Sequence, residues 1–346
     1  MMVVPGSMPM ITLSVLNRFL ILLLFVYLKK LYKSISLFLK LLITALSLWY
    51  IYSKVFRQND PASLFSNMNP SRSYLLGLVL VLMPLNWSLE ALKWRMLVAR
   101  LEPLSFFRAL QGVWCGLSVS IFTPNRVGEF SGRIFLLEKA DRIRAALLTF
   151  AGNAAQVFVT LGMAALSFVL WRLFGLELPA HDESAYYYSQ GVLNGVSLTG
   201  LLSFIFALSL AALALLFRGR ITNRHALVIR SISAPEWRRL IWLSLTRYMV
   251  FLLQFYLLLR LFDVDVRFGA AFLLIPLVFF LITVIPTFAL TEIGVRGSAA
   301  LFLFSLVSDN ESGILAASLL LWMINLALPA LAGLFLIFRL KFFRGE

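Results

Sequence analysis

Six stretches of this 346-residue chain are mainly apolar over about 20 residues, the length a helix needs to cross a bilayer. They are 37–55, 74–97, 145–171, 192–217, 240–262 and 313–338. Hydrocarbon offers the backbone no hydrogen-bond partner, so runs of this kind must satisfy themselves internally as helices. Composition agrees. The chain is 61% hydrophobic and 14% charged, where a soluble domain is about 45–50% apolar and about 25% charged. The longest stretch without a long apolar run, 218–239, is too short to hold a core. A large water-soluble catalytic domain is excluded, and with it most soluble-enzyme classes.

Two regions break the pattern. Residues 105–122 are apolar, but 123–144 are polar and charged; residues 268–285 are apolar, 286–297 are broken and 298–307 form a short apolar run. Charge indicates how these regions cross. The net charge is +15, from 31 Lys and Arg against 16 Asp and Glu. Basic loops face the cytoplasm by the positive-inside rule. Segments 93–108, 126–144 and 218–239 and the tail Arg339, Lys341 and Arg344 are basic, whereas 172–191 carries Glu177, Asp182 and Glu183 against Arg172. The first broken region therefore has both ends inside and reads as a re-entrant hairpin over 105–139. By parity, 268–307 dips in from the opposite face. The +15 is thus mostly topology; a nucleic-acid partner would need a foldable basic module, and none is present.

The two halves are alike: span, span, broken hairpin, span. Arg100-Leu101 leads into the first hairpin and Arg260-Leu261 into the second. With one hairpin entering from each face, the repeat is inverted, a common transporter plan with its site near the midplane. The expected fold is an all-α polytopic membrane protein of about six full spans plus two re-entrant broken hairpins in an inverted repeat. Its expected divisions are a hydrophobic extension over 1–32, a transmembrane domain over 33–338 with repeats 33–171 and 192–338, and a basic cytoplasmic tail over 339–346. Residues 1–30 lack a basic cluster before their apolar run and a small-residue cleavage site after it, so they do not read as a cleavable signal.

Chemistry concentrates at the breaks. Proline ends a helix by removing a donor, and free helix ends expose N–H groups that favour anions. Arg126, Arg133 and Arg296 add guanidinium forks that match a phosphate. Glu129 stands four residues before Arg133, and Glu292 four before Arg296. Each pair suits helical i,i+4 neutralisation of a buried break, or the fixing of an arginine for a ligand. Arg247 lies nine residues beyond Arg238 on a span, about 13 Å deep at the helical rise. A charge at that depth marks a pathway or a specific partner; a lipid phosphate and Glu90 are the two candidates. Glu90 itself could snorkel or pair locally with Lys93. Asn153 and Gln156 lie within the third span, and Gln254 and Asn325 within later ones, where such amides commonly serve as interhelical glue. The candidate substrate ligands are therefore Arg126, Glu129, Arg133, Arg247, Glu292 and Arg296, with Glu90, Asn153 and Gln156 secondary. One cysteine, Cys115, and two histidines, His181 and His225, give no disulfide and no metal site. No cofactor is expected.

The run Thr123-Pro-Asn-Arg-Val-Gly-Glu-Phe-Ser-Gly-Arg133, followed by the span from Ala145, resembles the first signature of the lysylphosphatidylglycerol synthase transmembrane region. Pro286-Thr287 with Glu292-Ile-Gly-Val-Arg296, followed by a last span holding Pro329 and Gly333, resembles the second. That region is the flippase half of the multiple peptide resistance factor. The resemblance covers about residues 33–338 and implies a flippase-like protein of the inner cell membrane that moves an anionic or phosphate-bearing lipid between leaflets. With the chain ending at Glu346, the aminoacyl-transferase activity is expected to be absent. Two departures stand out. Gly297 replaces a glutamate after Arg296, and Trp322-Met323 stands where the family has an arginine in the last span. Expected partners are a membrane phospholipid or lipid-linked substrate, a second copy of the chain, or a lipid-synthesis enzyme. Two other readings stay open: a non-transporting membrane partner of a lipid-modifying pathway, and a lipid group-transfer enzyme using Glu129 or Glu292 as base.

Overall fold

The computed structural model describes residues 68–121, 128–134, 136–138, 140–174, 223–285 and 289–339, together with Leu42, Trp49, Tyr52 and Thr123. The extension 1–32, the loop 175–191, the expected span 192–217, the tail, Arg126 and both signature prolines lie outside these residues, as does almost all of the span 37–55.

The described residues are helical and contain no strand. In chain order they form α1 (Tyr74–Val98), α2 (Phe106–Ile121), α3 (Gly128–Ile134), α4 (Arg142–Phe174), α5 (Asn223–Arg230), α6 (Ala234–Leu261), α7 (Phe268–Val284), α8 (Ala289–Phe304), α9 (Glu311–Trp322) and α10 (Leu328–Arg339). All ten belong to the second of the chain's two compact units, Met1–Leu46 and Ser47–Glu346. Four of the helical segments are long and apolar enough to span a membrane: Pro70–Val98, Arg142–Trp171, Ala234–Leu261 and Glu311–Ile337. They coincide with four of the six apolar stretches. The last is not a uniform α-helix. A π turn, Met323–Ala327, joins α9 to α10. Large apolar side chains such as Val81, Phe158, Trp242 and Leu331 stand exposed along these helices, as a lipid-facing surface requires.

Both broken regions contain paired helices. α2 and α3 run antiparallel in backbone contact: a Cβ on Gly132 would lie 2.5 Å from the Gly116 Cα and 2.6 Å from the Cys115 carbonyl. One on Gly128 would meet the Val119 carbonyl at 2.6 Å. Thr123 stitches the turn between them. Its hydroxyl accepts from the Gly128 N–H at 2.7 Å and donates to the Ser120 carbonyl at 3.2 Å. At the open end, Arg108 pairs with Glu138 at 2.7 Å, and Glu102 accepts from the backbone N–H of Glu138 and of Ala140. The second break is shorter than expected. Polar residues suggest disruption over 286–297, yet α8 is already helical at Ala289. The Glu292–Arg296 ion pair, one turn apart, neutralises the charges that argued against a helix.

Several principal packing pairs recur when the halves are exchanged. α1 packs on α6 at the centre, α1 on α4 as α6 on α9, and α2 on α3 as α7 on α8. The first hairpin's α2 leans on α10, the last span of the other half; the second hairpin's α7 leans likewise on α4. The α2–α10 crossing is close because Gly333 lies against the Trp114 carbonyl, leaving no room for a side chain. Ser118 donates to the Ala330 carbonyl at 2.6 Å beside it.

Polar clasps fix both ends of the α1–α6 pair. Arg100, just past α1, reaches the Ser231 hydroxyl at 2.8 Å and pairs with Glu236 in the first turn of α6. At the other end Arg72 meets Asp263 at 2.7 Å, and Asn69 donates to the same carboxylate at 2.9 Å. Asp263 holds a left-handed φ of 53°, a conformation Asp and Asn tolerate better than other non-glycine residues. Asp263→Asn is therefore expected to lose only the half-exposed ion pair, costing about 1 kcal/mol or less. Asp263→Val adds a backbone penalty of about 1–2 kcal/mol. Melting temperatures in detergent should rank wild type, Asn, then Val; equal values for the two variants would refute the backbone argument.

Candidate functional site

Asn86, Glu90 and Lys93 repeat at helical spacing on one face of α1, and all three are buried, Glu90 to 2% exposure and Lys93 to 1%. α1 is flanked on that face by α3, α4 and α6. Snorkelling is therefore not how Glu90 and Lys93 are accommodated. They are accommodated by one another and by arginines from elsewhere in the fold.

The Glu90 carboxylate receives three cations. Lys93 Nζ lies 2.8 Å from Oε2, Arg247 of α6 lies 3.0 Å from the same oxygen, and Arg133 of α3 donates to Oε1 at 2.9 Å. Arg133 also pairs with Glu129 one turn earlier, and Asn153 of α4 donates to the other Glu129 oxygen at 3.5 Å. Arg247 is held from two further directions. Its Nε donates to Asn86 Oδ1 at 2.8 Å, and its guanidinium lies 5.1 Å from the Trp87 ring centre and 5.3 Å from that of Phe251. Asn86 passes the network on to Asn325 in the π turn at 3.3 Å. Lys93 reaches the Ser244 hydroxyl at 3.5 Å, and Gln156 donates to the Ser244 carbonyl at 3.3 Å. One network thus ties α1, α3, α4, α6 and the π turn.

Among the described residues three basic side chains, Lys93, Arg133 and Arg247, face two carboxylates, Glu90 and Glu129, inside a surround of apolar helices. Buried ions are tolerated when paired and hydrogen-bonded, and are costly otherwise. Arg247 adjoins a small cavity of about 40 Å³ lined by Trp87, Phe251, Arg296, Trp322 and Asn325, among others. A volume of this order holds a few water molecules. Arg296 is steadied by Glu292, which accepts from its Nε at 2.8 Å, and its side chain keeps 18% exposure against 2% for Arg133. The indole N–H groups of Trp87 and Trp322 are buried with no hydrogen-bond partner among the described residues. A π turn, as here at Asn325, often marks a functional position.

The structure therefore gathers Glu90, Glu129, Arg133, Asn153 and Arg247 into one network, with Gln156 at its edge through Ser244. Arg296 joins Arg247 at the cavity, with Glu292 behind it. Arg126 lies outside the described residues. Gln254 is interhelical glue, donating to the Val79 carbonyl at 3.0 Å. Cys115 is buried in the α2–α10 contact. Among the described residues no cluster of His, Cys, Asp or Glu could hold a metal ion. Sequence reasoning did not assign roles to Asn86, Trp87, Ser244 or Trp322, and gave Lys93 only the local pairing with Glu90 that the structure shows. The spacing of Asn86, Glu90 and Lys93, and of Ser244, Arg247 and Phe251, is the signal that could have found most of them.

No curated protein matches the chain. The family model of the lysylphosphatidylglycerol synthase transmembrane region matches residues 37–333, nearly all of the chain and both hairpins. The chain belongs to the lysylphosphatidylglycerol synthase transmembrane region family, a family of lipid-related membrane proteins.

Proposed function

We propose that this protein is a flippase-like carrier of the cell membrane that moves a phosphate-bearing, anionic lipid between leaflets. The observation that carries this reading is a cavity lined by two guanidiniums, Arg247 and Arg296, beside a buried cluster of ion-paired side chains. A lipid phosphate is the natural complement to such a site.

The packing pairs that recur in both halves support an inverted repeat, with 105–139 re-entrant from the cytoplasm, 268–307 re-entrant from outside, and the tail cytoplasmic by the positive-inside rule. On this reading the two hairpin arginines are in different conditions. Arg133 is sealed by Glu90 and Glu129, while Arg296 faces the cavity. The cavity is too small for a headgroup with its glycerol, so transport requires the hairpins to part from a closed state.

The test is leaflet exchange of fluorescent phosphatidylglycerol in proteoliposomes. Arg296→Ala removes a charge-assisted contact while leaving the Glu90 network intact. It should slow exchange about tenfold or more, the usual worth of a hydrogen bond to a charged group. Wild-type rates in a variant with wild-type melting would overturn the site assignment.

A further inference from the structure

The last span changes partners halfway along. α9 packs on α6 and on α8 of the second hairpin, whereas α10 packs on α2 of the first. The change falls at the π turn, Met323–Ala327. We propose that this turn is a hinge on which α10 and the first hairpin swing as one body against the rest of the bundle, and that the Asn86–Asn325 amide pair is the latch of the closed state. Its use in transport rests on the lipid-carrier reading above; the bending itself does not.

Three features carry the inference. First, the hydrogen-bond ladder is loosened twice in succession. The Leu328 N–H bonds the Met323 carbonyl, five residues back instead of four. Pro329 follows as the second residue of α10 and contributes no N–H to the ladder. Sharp helix bends occur at such places, at π turns and at proline. The counterpart span α4, on which the second hairpin's α7 leans, is one α-helix over 33 residues with no proline. Second, α10, α2 and α3 are knit together through their backbones. Gly333 lies against the Trp114 carbonyl, Ser118 donates to the Ala330 carbonyl at 2.6 Å, and Gly132 lies against Gly116. Arg133 to Glu90 and Glu129 to Asn153 cross the border of this unit through side chains, which can let go without unwinding a helix. Third, the latch sits on the hinge itself. Asn325 donates to the Leu321 carbonyl at 3.3 Å and accepts from Asn86 Nδ2 at 3.3 Å, tying the loosened turn to α1. Leu321, Trp322, Asn325 and Leu326, at and beside the turn, form one wall of the cavity, so a bend there moves that wall.

The experiment is pulsed electron paramagnetic resonance on the full-length protein in phosphatidylglycerol nanodiscs, with spin labels at exposed positions. Cys115 is buried and stays in place. Phe107→Cys with Trp242→Cys measures α2 against α6, across the border of the swinging unit; Phe107→Cys with Leu331→Cys measures α2 against α10, within it. α2 runs antiparallel to α10, since Trp114 meets Gly333 and Ser118 meets Ala330, so Phe107 lies at the end away from the π turn. A bend of about 20° acting over about 20 Å displaces that end by about 7 Å. The first pair should therefore show two distances, one matching the closed structure and one displaced, and the second pair a single distance. Asn325→Leu, which removes the latch, should raise the share of the displaced distance about threefold, and Pro329→Ala, which returns an N–H to the ladder, should lower it as much. One unchanged distance for the first pair in the wild type and both variants would overturn the hinge, and so would equal broadening of the two pairs. Leaflet exchange in proteoliposomes separates the two claims. Two distances without exchange keep the hinge and remove the carrier reading; exchange at a fixed distance does the reverse.

Discussion

Replacing Glu90 by glutamine is expected to be among the most damaging single substitutions in the protein. It would leave Lys93, Arg133 and Arg247 converging on a neutral amide, with Glu129 the remaining carboxylate of the network. Breaking a buried ion pair by removing one partner costs about 3–5 kcal/mol, because the orphaned charge cannot reach water. Here three cations lose a shared partner at 2% exposure, so the loss belongs at the upper end of that range. Thermal unfolding in detergent should show a large drop for Glu90→Gln. The double substitution Glu90→Gln with Lys93→Met, which removes one cation along with the carboxylate, should recover part of it. A Glu90→Gln protein that melts with the wild type would refute the network as a structural keystone.

Gly132→Ala should be comparably severe, for a reason of space. The added Cβ would fall 2.5–2.7 Å from the Gly116 Cα, the Cys115 carbonyl and the Gly116 nitrogen, all backbone atoms that cannot rotate away. α2 and α3 would have to separate, carrying Arg133 off Glu90. Overpacking costs about 1–3 kcal/mol by itself, and the displaced ion pair adds to it. Gly162→Ala is the internal control. Gly162 has nothing within 4 Å of the added carbon, and alanine is the better helix former by about 1 kcal/mol. The expected order of melting temperature is Gly162→Ala at or above wild type and Gly132→Ala well below. Similar melting for the two would show that the hairpin does not depend on that contact.

How much of this was readable beforehand follows from distance along the chain. The Glu129–Arg133 and Glu292–Arg296 pairs are one helical turn apart and were legible. So was the depth of Arg247, with Glu90 as a candidate partner, because a charge within a span narrows the options to few. The Arg133–Glu90 contact was not. It joins residues 43 positions apart, and depends on three glycines letting α3 lie against α2. Lys93 read as an interfacial charge because its burial is created by α4 and α6, not by its neighbours in sequence. The second break was drawn too long: 286–297 was read as broken throughout, although the Glu292–Arg296 pair at i,i+4 spacing already fitted the helix that starts at Ala289. The π turn at Met323–Ala327 has no residue signature at all.

The interleaving of the halves also bears on how the protein is made. Chains are synthesised from the N-terminus, and α2 and α3 emerge long before α10. Yet the surface on which α2 rests, where Ser118 meets Ala330 and Gly333 meets Trp114, belongs to α10. Glu90 likewise waits for Arg247. For most of its biogenesis the first hairpin is therefore without its final support. Neither half is a self-sufficient folding unit, and the site closes only as the last helices enter the membrane.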